Sequence, residues 1–503
     1  MFRATNKHKI INDPVLGFIT IPNELIYELV QHPLFQRLTR IKQLGLANVV
    51  YPGAQHTRFQ HSLGAMHLVG EAVKQLRLKG QVITPAEENG VLAAMLLHDI
   101  GHGPFSHVLE HTIISGVSHE ELGLKMMEQI NEEMGGRLSL AIKIFKDEYE
   151  KRFLHQLISS QLDMDRMDYL CRDCFFTGVM EGSIGAARII KMLNVSDDKL
   201  VVEAKGIYSI ENFLVARRFM YWQVYLHKTS VAAEKMLVNI LKRAKELVRQ
   251  GVELFATPAL RYFLENDVDA SSFDTDYVLK RYVELDDVDV MSAVKVWMKA
   301  EDVVLRELSK GFIERRFFKA VSGDDMLLYN TENLKCQYAE RFGIDEGLAR
   351  YFYVEESVRS NTYNPDGANI MIMYGDMVGM SSSAYRAIFM FALKMGAEVL
   401  HRTYDMLTAL AMAAVGILLE QPLYIYHAGF LLSFGAIIGI GCMLEVMKTD
   451  TKQIYINKKK QKRREWIRNL CMSNIRESML GSMSIFLIHF PIMLSVYYEF
   501  PVY

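Results

Sequence analysis

The stretch that decides the fold runs Val91-Leu-Ala-Ala-Met-Leu-Leu-His98-Asp99-Ile-Gly101-His102-Gly103-Pro104. An uncharged apolar run of this kind indicates a buried helix, and the glycines and proline indicate a turn directly after it. A single histidine on an apolar helix is more often an ordinary core or surface residue. Here the imidazole is followed by a carboxylate, and burying that pair is costly unless each group is paired or binds a metal. The stretch therefore predicts a polar site inside a helical protein.

The surrounding sequence predicts successive amphipathic helices from about residue 23 to 248. Apolar residues recur at steps of three and four, as in Leu63, Met66, Val69, Ala72, Val73 and Leu76. From 256 to about 373 the pattern is mixed, with helical segments at 293–308 and short apolar runs at 316–321 and 370–374 that are expected to be strands. We therefore expect a small α+β lobe after the helical body.

Composition limits the functional classes. The chain has 503 residues with 57 basic against 59 acidic side chains, so neither an acidic disordered tail nor nucleic-acid binding through net charge fits the whole chain. Five scattered cysteines are too few for a disulfide framework, which favours a reducing compartment. Residues 1–20 have no apolar segment of the secretory type, so we expect the N-terminal part to be cytoplasmic.

Four residues form a candidate metal-ligand set, namely His61, His98, Asp99 and Asp165. Two imidazoles and two carboxylates suit a divalent ion such as Mn, Fe, Zn or Mg. Because adjacent residues diverge by about 100° on a helix, His98 and Asp99 need other helices to supply the remaining ligands. His102, His107 and His119 follow along the chain and are candidates for proton transfer.

Several ordered motifs extend this pattern. They are Ile11-Asn-Asp-Pro14, Phe35-Gln-Arg-Leu38, Ile41-Lys-Gln-Leu-Gly45, Tyr51-Pro-Gly-Ala54, Arg58-Phe-Gln-His-Ser-Leu-Gly64, His98-Asp-Ile-Gly-His-Gly-Pro-Phe-Ser-His107 and Asp168-Tyr-Leu-Cys-Arg-Asp173. Together they resemble the HD-domain metal-dependent phosphohydrolases, and within them the deoxynucleoside triphosphate triphosphohydrolases related to the sterile-alpha-motif/HD enzyme. The resemblance covers most of residues 8 to about 373.

The resemblance implies roles for individual residues. The implied metal ligands are His61, His98, Asp99 and Asp165. The implied catalytic residues, which align water and protonate the leaving oxygen, are His102, His107 and His119, with Glu110 orienting His107. The implied substrate contacts are Gln43 and Leu44 at the sugar, Arg58, Arg217, Lys42 and Arg166 at the phosphates, Tyr169 and Asp173 at the sugar 3′ side, and Tyr225 at the 2′ position. Arginine forks match the geometry of phosphate oxygens, which agrees with this assignment.

The sequence also departs from the family pattern. Gln31 and Thr39 replace an acidic residue and an arginine that read a guanine base in nucleotide-regulated relatives, so the resemblance does not imply that allostery here. Tyr221 replaces an active-site histidine and is counted among the substrate contacts. Cys171 and Cys174 have the spacing of a redox or zinc pair, but they lack a second pair and share the predicted helix of Asp165.

The character of the chain changes after about residue 375. The run at 405–420 is charged only at its two end residues, and the runs at 423–444 and 478–498 are uncharged. All three predict membrane-spanning helices, and the basic cluster at 458–464 is expected on the cytoplasmic side. The alternative is that these runs are buried helices of a large globular domain. Motifs at 383–387, 405–414 and 427–434 resemble the membrane domain of the ComEC DNA-uptake channel family, although only as a fragment of it. Lys394 and Glu398 favour an interfacial helix at 385–400, which keeps the enzyme domain cytoplasmic.

The expected fold is mainly α: an HD-domain helical bundle (1–250), an α+β accessory lobe (251–375) and a membrane-embedded ComEC-like segment (376–503). The expected function is metal-dependent hydrolysis of deoxynucleoside triphosphates to deoxynucleoside and triphosphate. The expected partners are a nucleotide substrate, a second copy of the chain through the HD domain, and the membrane through the C-terminal segment. The alternatives are a membrane protein of DNA uptake with the HD domain as an accessory module, and a chimaeric reading frame that joins two unrelated genes.

Overall fold

The computed structural model describes residues 9–105, 112, 114, 116–321, 331–355, 369–374 and 377–379, and beyond these only 408–409, 411–415 and 434. The chain divides into two compact units, Met1–Gly375 and Asp376–Tyr503. The first unit contains the residues of every motif of the HD resemblance. The predicted further division of this unit at residue 250 stays a prediction.

The described part of the first unit is mainly helical, as the sequence predicts. Its α-helices, in chain order, are α1 Glu24–Gln31, α2 Pro33–Gln36, α3 Arg58–Leu78, α4 Pro85–Leu97, α5 His119–Glu133, α6 Ser139–Phe145, α7 Arg152–Gln156, α8 Met164–Thr177, α9 Ala186–Met192, α10 Ile207–Met220, α11 Lys228–Arg249, α12 Pro258–Glu265, α13 Asp276–Glu284, α14 Asp287–Trp297, α15 Val303–Ile313 and α16 Thr331–Phe342. One turn of π-helix, Tyr221–Tyr225, follows α10 directly.

Short strands accompany the helices. They are β1 Ile10–Asp13, β2 Gly17–Thr20, β3 Leu193–Ser196, β4 Lys199–Glu203, β5 Met371–Tyr374 and, in the second unit, β6 Met377–Gly379. β1 pairs with β2 and β3 pairs with β4, both antiparallel, and β5 runs parallel to β4 with Val202 opposite Ile372. The predicted strand at 370–374 is therefore present.

Two expectations about local structure are wrong. Residues 316–321 form no strand, because Phe317 and Phe318 pack against the core, where Phe317 lies edge-on to Phe312 at 5.8 Å between ring centroids. The helical series from 23 to 248 is interrupted by the β3–β4 hairpin. Asp197 and Asp198 form its two-residue turn at φ 49° and 57°, a conformation that Asp tolerates in such turns.

Local signals explain why the central helices begin and end where they do. The Thr84 hydroxyl accepts a hydrogen bond from the backbone N–H of Glu87, and the Glu87 carboxylate accepts one from the backbone N–H of Thr84. Pro85 occupies the first helical position of α4. In α8 the Asp163 side chain caps the first turn, and Gly178 at φ 75° ends the helix in the left-handed conformation. Both ends of α8 are thus fixed by its own sequence.

Helices α3, α4 and α8 pack closely and form the centre of the core. Gly64 of α3 faces Asp168 and Arg172 of α8, and a Cβ at this position would collide with both side chains. Gly101 faces the backbone of His119 and Gly123 of α5 and leaves no room for a Cβ. These close approaches bring α8 against α3, and the turn after α4 against α5.

Across the described residues, we find no helix that is both long and apolar enough to cross a membrane. The three predicted spans, 405–420, 423–444 and 478–498, lie outside the described residues except at 408–409, 411–415 and 434. The predicted interfacial helix at 385–400 and the basic cluster at 458–464 lie entirely outside the described residues.

Candidate functional site

Four side chains from three helical elements converge at the centre of the first unit. The ligand atoms of His61, His98 and Asp99 all lie within 4.8 Å of one another. Asp165 Oδ1 lies 3.0 Å from His61 Nε2 and 3.4 Å from His98 Nε2. The structure thus brings together all four residues that the sequence proposes as metal ligands, and we call them the histidine–aspartate cluster.

His61 is fully buried, and a carboxylate contacts the ring nitrogen that faces away from the other three ligands. Its Nδ1 lies 2.9 Å from Asp168 Oδ2, and Arg172 donates to the two carboxylate oxygens of Asp168 at 2.8 and 2.9 Å. Arg172 also donates to Asp13 at 2.7 Å, which extends the buried chain to the end of β1. A carboxylate behind one ring nitrogen directs the other nitrogen to the ligand side, as in metal sites where an outer partner orients the histidine.

His98 and Asp99 are oriented in the same way by their neighbours. His98 Nδ1 lies 2.7 Å from the carbonyl oxygen of Met95, so Nε2 faces His61 Nε2 at 3.3 Å. Arg58 donates to Asp99 Oδ2 at 2.5 Å, and His102 Nδ1 lies 3.3 Å from Asp99 Oδ1. The family resemblance implies a phosphate contact for Arg58, and the structure shows that Arg58 bonds to a proposed metal ligand.

The charges of the cluster are strongly coupled. Burial lowers the pKa of His61, but hydrogen bonds to Asp165 and Asp168 outweigh that effect and raise it to about 10. Burial alone would raise the pKa of Asp165, yet its bonds to His61 and His98 lower it. The pKa of Asp99 lies well below its ordinary value because His102, His98 and Arg58 outweigh the effect of burial. Ionised carboxylates that face two imidazoles require positive charge, which either protons or a divalent ion can supply.

The donor set fits a divalent metal ion. Ligand atoms about 2.1 Å from one ion lie roughly 3.0–3.4 Å apart in octahedral or tetrahedral geometry, because each bond angle is about 90° or 109°. The separations of His61 Nε2 from His98 Nε2, 3.3 Å, and from Asp165 Oδ1, 3.0 Å, fall in this range. Two imidazole nitrogens that face each other at such a distance repel unless a proton or a cation lies between them.

Of the candidate catalytic residues, the structure brings two together. The rings of His102 and His119 lie 3.8 Å apart between centroids, with an interplanar angle of 34°. His119 is the first residue of α5, and His102 reaches Asp99, so this pair adjoins the histidine–aspartate cluster. His107 and Glu110 lie outside the described residues.

A second group of site residues adjoins the cluster along α8. Tyr169, one turn after Asp165, lies with its ring edge toward Tyr225 at 6.0 Å, and Tyr221 meets Tyr225 edge-on at 5.2 Å. The Tyr225 hydroxyl donates to Asp173 Oδ2 at 2.8 Å. Burial and the neighbouring Asp173 hold the pKa of Tyr225 well above its ordinary value, so the phenol stays protonated. We call Tyr169, Tyr221 and Tyr225 the tyrosine cluster.

The proposed phosphate-binding arginines lie near this group. The guanidinium of Arg217 lies 5.9 Å from the centroid of the Tyr221 ring, and its Nη1 donates to Gln161 at 3.1 Å. Arg166 donates from Nε to the carbonyl oxygen of Ser160 at 2.8 Å.

The loop with Lys42, Gln43 and Leu44 is held by its backbone. The Lys42 N–H donates to Asp287 Oδ2 at 3.0 Å, and the Gln43 N–H donates to the carbonyl oxygen of His56 at 3.0 Å. Leu44 packs, partly buried, against the hydrophobic core. Asp287 also accepts from the Phe105 N–H at 3.0 Å, so this carboxylate of α14 joins the loop to the turn after α4.

Three of the residues that support the site were not found by sequence reasoning. Asp168 lies three positions after Asp165, so helical spacing alone places both carboxylates on one side of α8 and could have revealed it. His56 and Asp287 carry no local signal, because each acts on a residue more than a hundred positions away in sequence. Cys171 and Cys174 are both free, and burial raises the pKa of the Cys171 thiol to about 12, so neither resembles a reactive thiol.

Comparison with known proteins agrees with this arrangement. A family model of the HD domain matches residues 58–173, and the HD associated region matches 184–257. Protein YwfO of Bacillus subtilis is 35% identical over 323 residues, which cover 63% of this chain and 72% of YwfO. The chain belongs to the HD-domain family. The HD match contains all four residues of the histidine–aspartate cluster.

Other relatives of this HD-domain protein carry functional names. A phosphohydrolase of Bacteroides thetaiotaomicron, known from its crystal structure, is 59% identical, with a TM-score of 0.71 over 74% of this chain and 93% of that one. A protein of Dictyostelium discoideum named as a homologue of the deoxynucleoside triphosphate triphosphohydrolase SAMHD1 is 28% identical over 272 residues, or 50% of this chain and 52% of its own length. Residues 354–503 match the competence protein family, which confirms the C-terminal resemblance and extends it toward the N-terminus.

Proposed function

We propose that the first unit is a metal-dependent phosphohydrolase that converts deoxynucleoside triphosphates to deoxynucleoside and triphosphate. The observation that carries this proposal is the buried histidine–aspartate cluster, in which two imidazoles and two carboxylates face one another beside a contacting pair of histidines. The phosphohydrolase of Bacteroides thetaiotaomicron and the triphosphohydrolase homologue of Dictyostelium discoideum support the same reaction class.

In this proposal His61, His98, Asp99 and Asp165 would hold one divalent ion, one of Mn, Fe, Mg and Zn. Such an ion supplies Lewis-acid charge next to the reacting phosphoryl group. Asp168, Met95 and Arg58 orient three of the four ligands from outside. These contacts leave the ligand atoms of His61, His98 and Asp99 little freedom to turn away from the ion.

The remaining chemistry is proton transfer by residues of this chain. The oxygen of a water molecule bonds to the α-phosphorus, the bond from phosphorus to the 5′ oxygen breaks, and its electron pair stays on that oxygen. An imidazole must give the 5′ oxygen a proton, and the water must lose one. His102 and His119, whose ring centroids lie 3.8 Å apart, are proposed to exchange protons beside Asp99, and we assign His107 with Glu110 to the same task.

Substrate selection falls to the second group of residues. A triphosphate carries about four negative charges at neutral pH, and the cationic side chains proposed to bind it are Arg217, Arg166 and Lys42. Arg58, beside Asp99, is the fourth. Asp173 and Tyr169 are proposed to bind the sugar at its 3′ side, and Gln43 to face its ring. Tyr225 and Leu44 are proposed to crowd the 2′ position, which disfavours ribonucleotides.

The proposal is tested with the purified full chain and a panel of deoxynucleotides and ribonucleotides, each assayed with Mn, Fe, Mg and Zn. We expect deoxynucleoside and triphosphate as products, and slower turnover of ribonucleotides by a steric margin of about 1–3 kcal/mol in kcat/KM. Equal rates for both sugars would contradict the deoxynucleotide assignment. Absence of hydrolysis with all four metals would contradict the phosphohydrolase itself.

A second candidate rests on the match of residues 354–503 to the competence protein family. In this alternative the chain is a membrane protein of DNA uptake, and the HD domain is an accessory module in the cytoplasm. A fused or chimaeric reading frame would produce the same match. Fractionation of the intact chain tests the membrane alternative. Membrane insertion predicts that the chain is recovered only with detergent, whereas an active, monodisperse chain recovered without detergent would exclude membrane insertion. The same preparation tests the proposed self-association through the HD domain by its molar mass.

A further inference from the structure

His56 is buried between the elements that carry the substrate-side residues. It is 2% exposed, and its Nε2 lies 2.8 Å from Asp173 Oδ1. The ring stacks on Phe176 at 4.6 Å between centroids, with an interplanar angle of 19°. Its position is therefore fixed by one hydrogen bond and one aromatic contact, both to the C-terminal half of α8.

Asp173 receives two hydrogen bonds from side chains on opposite sides. His56 lies on Oδ1 and the Tyr225 hydroxyl on Oδ2, each at 2.8 Å. A carboxylate has about four acceptor sites, so these two bonds fix the plane of the group and leave lone pairs for a further donor. That arrangement suits recognition of a ligand hydroxyl.

The main chain of His56 acts on a second substrate-side segment. Its carbonyl oxygen accepts from the Gln43 N–H at 3.0 Å. The loop before His56 is fixed as well, because a Cβ at Gly53 would collide with the Phe176 carbonyl oxygen and the Tyr51 hydroxyl donates to the carbonyl oxygen of Gln223. His56 thus joins the Gln43 loop to the end of α8, and Tyr51 of the same loop contacts the π-helical turn.

We infer that His56 is a positioning residue that fixes Asp173 in the substrate pocket and thereby sets recognition of the sugar 3′ hydroxyl. This inference rests on the proposed function, which assigns Asp173 to that side of the sugar. His56 itself makes no contact with the reacting phosphorus in this scheme, so its loss affects substrate binding more than the chemical step.

The test compares His56→Phe with the wild-type chain. Phenylalanine keeps the ring volume and the stacking on Phe176 but removes the hydrogen bond to Asp173. We expect KM for a deoxynucleoside triphosphate to rise about tenfold, because losing one hydrogen bond to a charged group weakens binding by about this factor. We expect kcat to change less than about twofold. The 2′,3′-dideoxy analogue lacks the hydroxyl, so its KM should change less than about twofold.

Two further variants separate positioning from general damage. His56→Gln offers an amide donor to Asp173 and should restore much of the discrimination, whereas the exposed neighbour Gln55→Ala should match the wild type. In a double-mutant cycle, His56→Phe should add little to Asp173→Asn if His56 acts through Asp173. Should His56→Phe fail to fold, His56→Leu, which also lacks a hydrogen-bond donor to Asp173, provides the same comparison in the kinetics and in the cycle.

Equal losses on the deoxy and dideoxy substrates, additive effects in the cycle, or wild-type kinetics in His56→Phe would each overturn the inference while leaving the proposed function intact. A wild-type chain that hydrolyses no deoxynucleotide would contradict the proposed function and this inference together.

Discussion

The histidine–aspartate cluster and the tyrosine cluster adjoin each other along α8 but are stabilised differently. In the first, each ligand residue contacts a charged partner, and the pKa values of His61, Asp99 and Asp165 are all displaced by these contacts. In the second, ring edges and the hydrogen bond from Tyr225 to Asp173 hold the side chains. Removing one member of a coupled ionic cluster leaves uncompensated charge, whereas removing one neutral contact does not. The first cluster should therefore respond to mutation in an all-or-none manner and the second in a graded manner.

The largest effect is expected for Asp165→Asn. A neutral amide is a poorer ligand for a divalent ion, and the substitution also removes one of the anionic partners of His61 and His98. We expect loss of bound metal and a fall in turnover of at least about 10³-fold, with helicity retained. The matched control is Asp163→Asn, two positions earlier at the N-cap of α8, where asparagine caps the helix about as well as aspartate. Metal content and turnover in Asp165→Asn equal to those of the control would remove Asp165 from the site.

A smaller loss is expected for Asp168→Asn, which keeps the ligands but weakens the orientation of His61. Outer partners of metal-ligating histidines typically contribute about 10–100-fold in metal affinity or activity. We expect an effect in this range, measured as the metal dissociation constant by calorimetry. An unchanged constant would show that the contact at 2.9 Å serves folding alone.

The tyrosine cluster should respond more weakly. Tyr225→Phe removes the bond to Asp173 but keeps the ring contacts with Tyr169 and Tyr221. We expect kcat/KM for a deoxynucleotide to fall about tenfold, equivalent to about 1.4 kcal/mol, as for the loss of one hydrogen bond to a charged group. A loss of activity in Tyr225→Phe as large as that in Asp165→Asn would contradict the proposed difference between the two clusters.

The smallest effect on turnover is expected at the N-terminus of α4, which lies away from the site and where a substitution should change the free energy of unfolding instead. Burial alone would raise the pKa of Glu87, but hydrogen bonds from Lys151, Thr84 and Tyr149 lower it to about 2. Because the folded-state pKa is depressed, this stabilisation is present above about pH 4.5 and is lost as the pH falls toward 2, a change of roughly 3 kcal/mol at most. Glu87→Gln should therefore reduce the free energy of unfolding at pH 7 and flatten its dependence on pH between 5 and 2. An unchanged pH profile in chemical denaturation would contradict this assignment.

The sequence predicted the parts of the site that depend on local pattern. The apolar run before His98, the break at Gly101 and the helical position of Asp165 follow from periodicity and from turn residues, and the structure has all three. The contact of Arg58 with Asp99 and that of His56 with Asp173 depend on how distant helices pack, so no spacing in the sequence encodes them. The β3–β4 hairpin was missed although Asp197 and Asp198 mark its turn, because the flanking strands are only four and five residues long.

The central claim is that the histidine–aspartate cluster carries hydrolysis of a deoxynucleoside triphosphate at the α-phosphorus. Its most direct test is product analysis by mass spectrometry, with the metal-loaded full chain, Asp165→Asn and Asp163→Asn each incubated with one deoxynucleoside triphosphate in ¹⁸O-labelled water. We predict equimolar deoxynucleoside and triphosphate from the wild type and from Asp163→Asn, with the label in triphosphate, and no products from Asp165→Asn. Deoxynucleoside diphosphate with labelled orthophosphate, or identical products from Asp165→Asn, would contradict the claim.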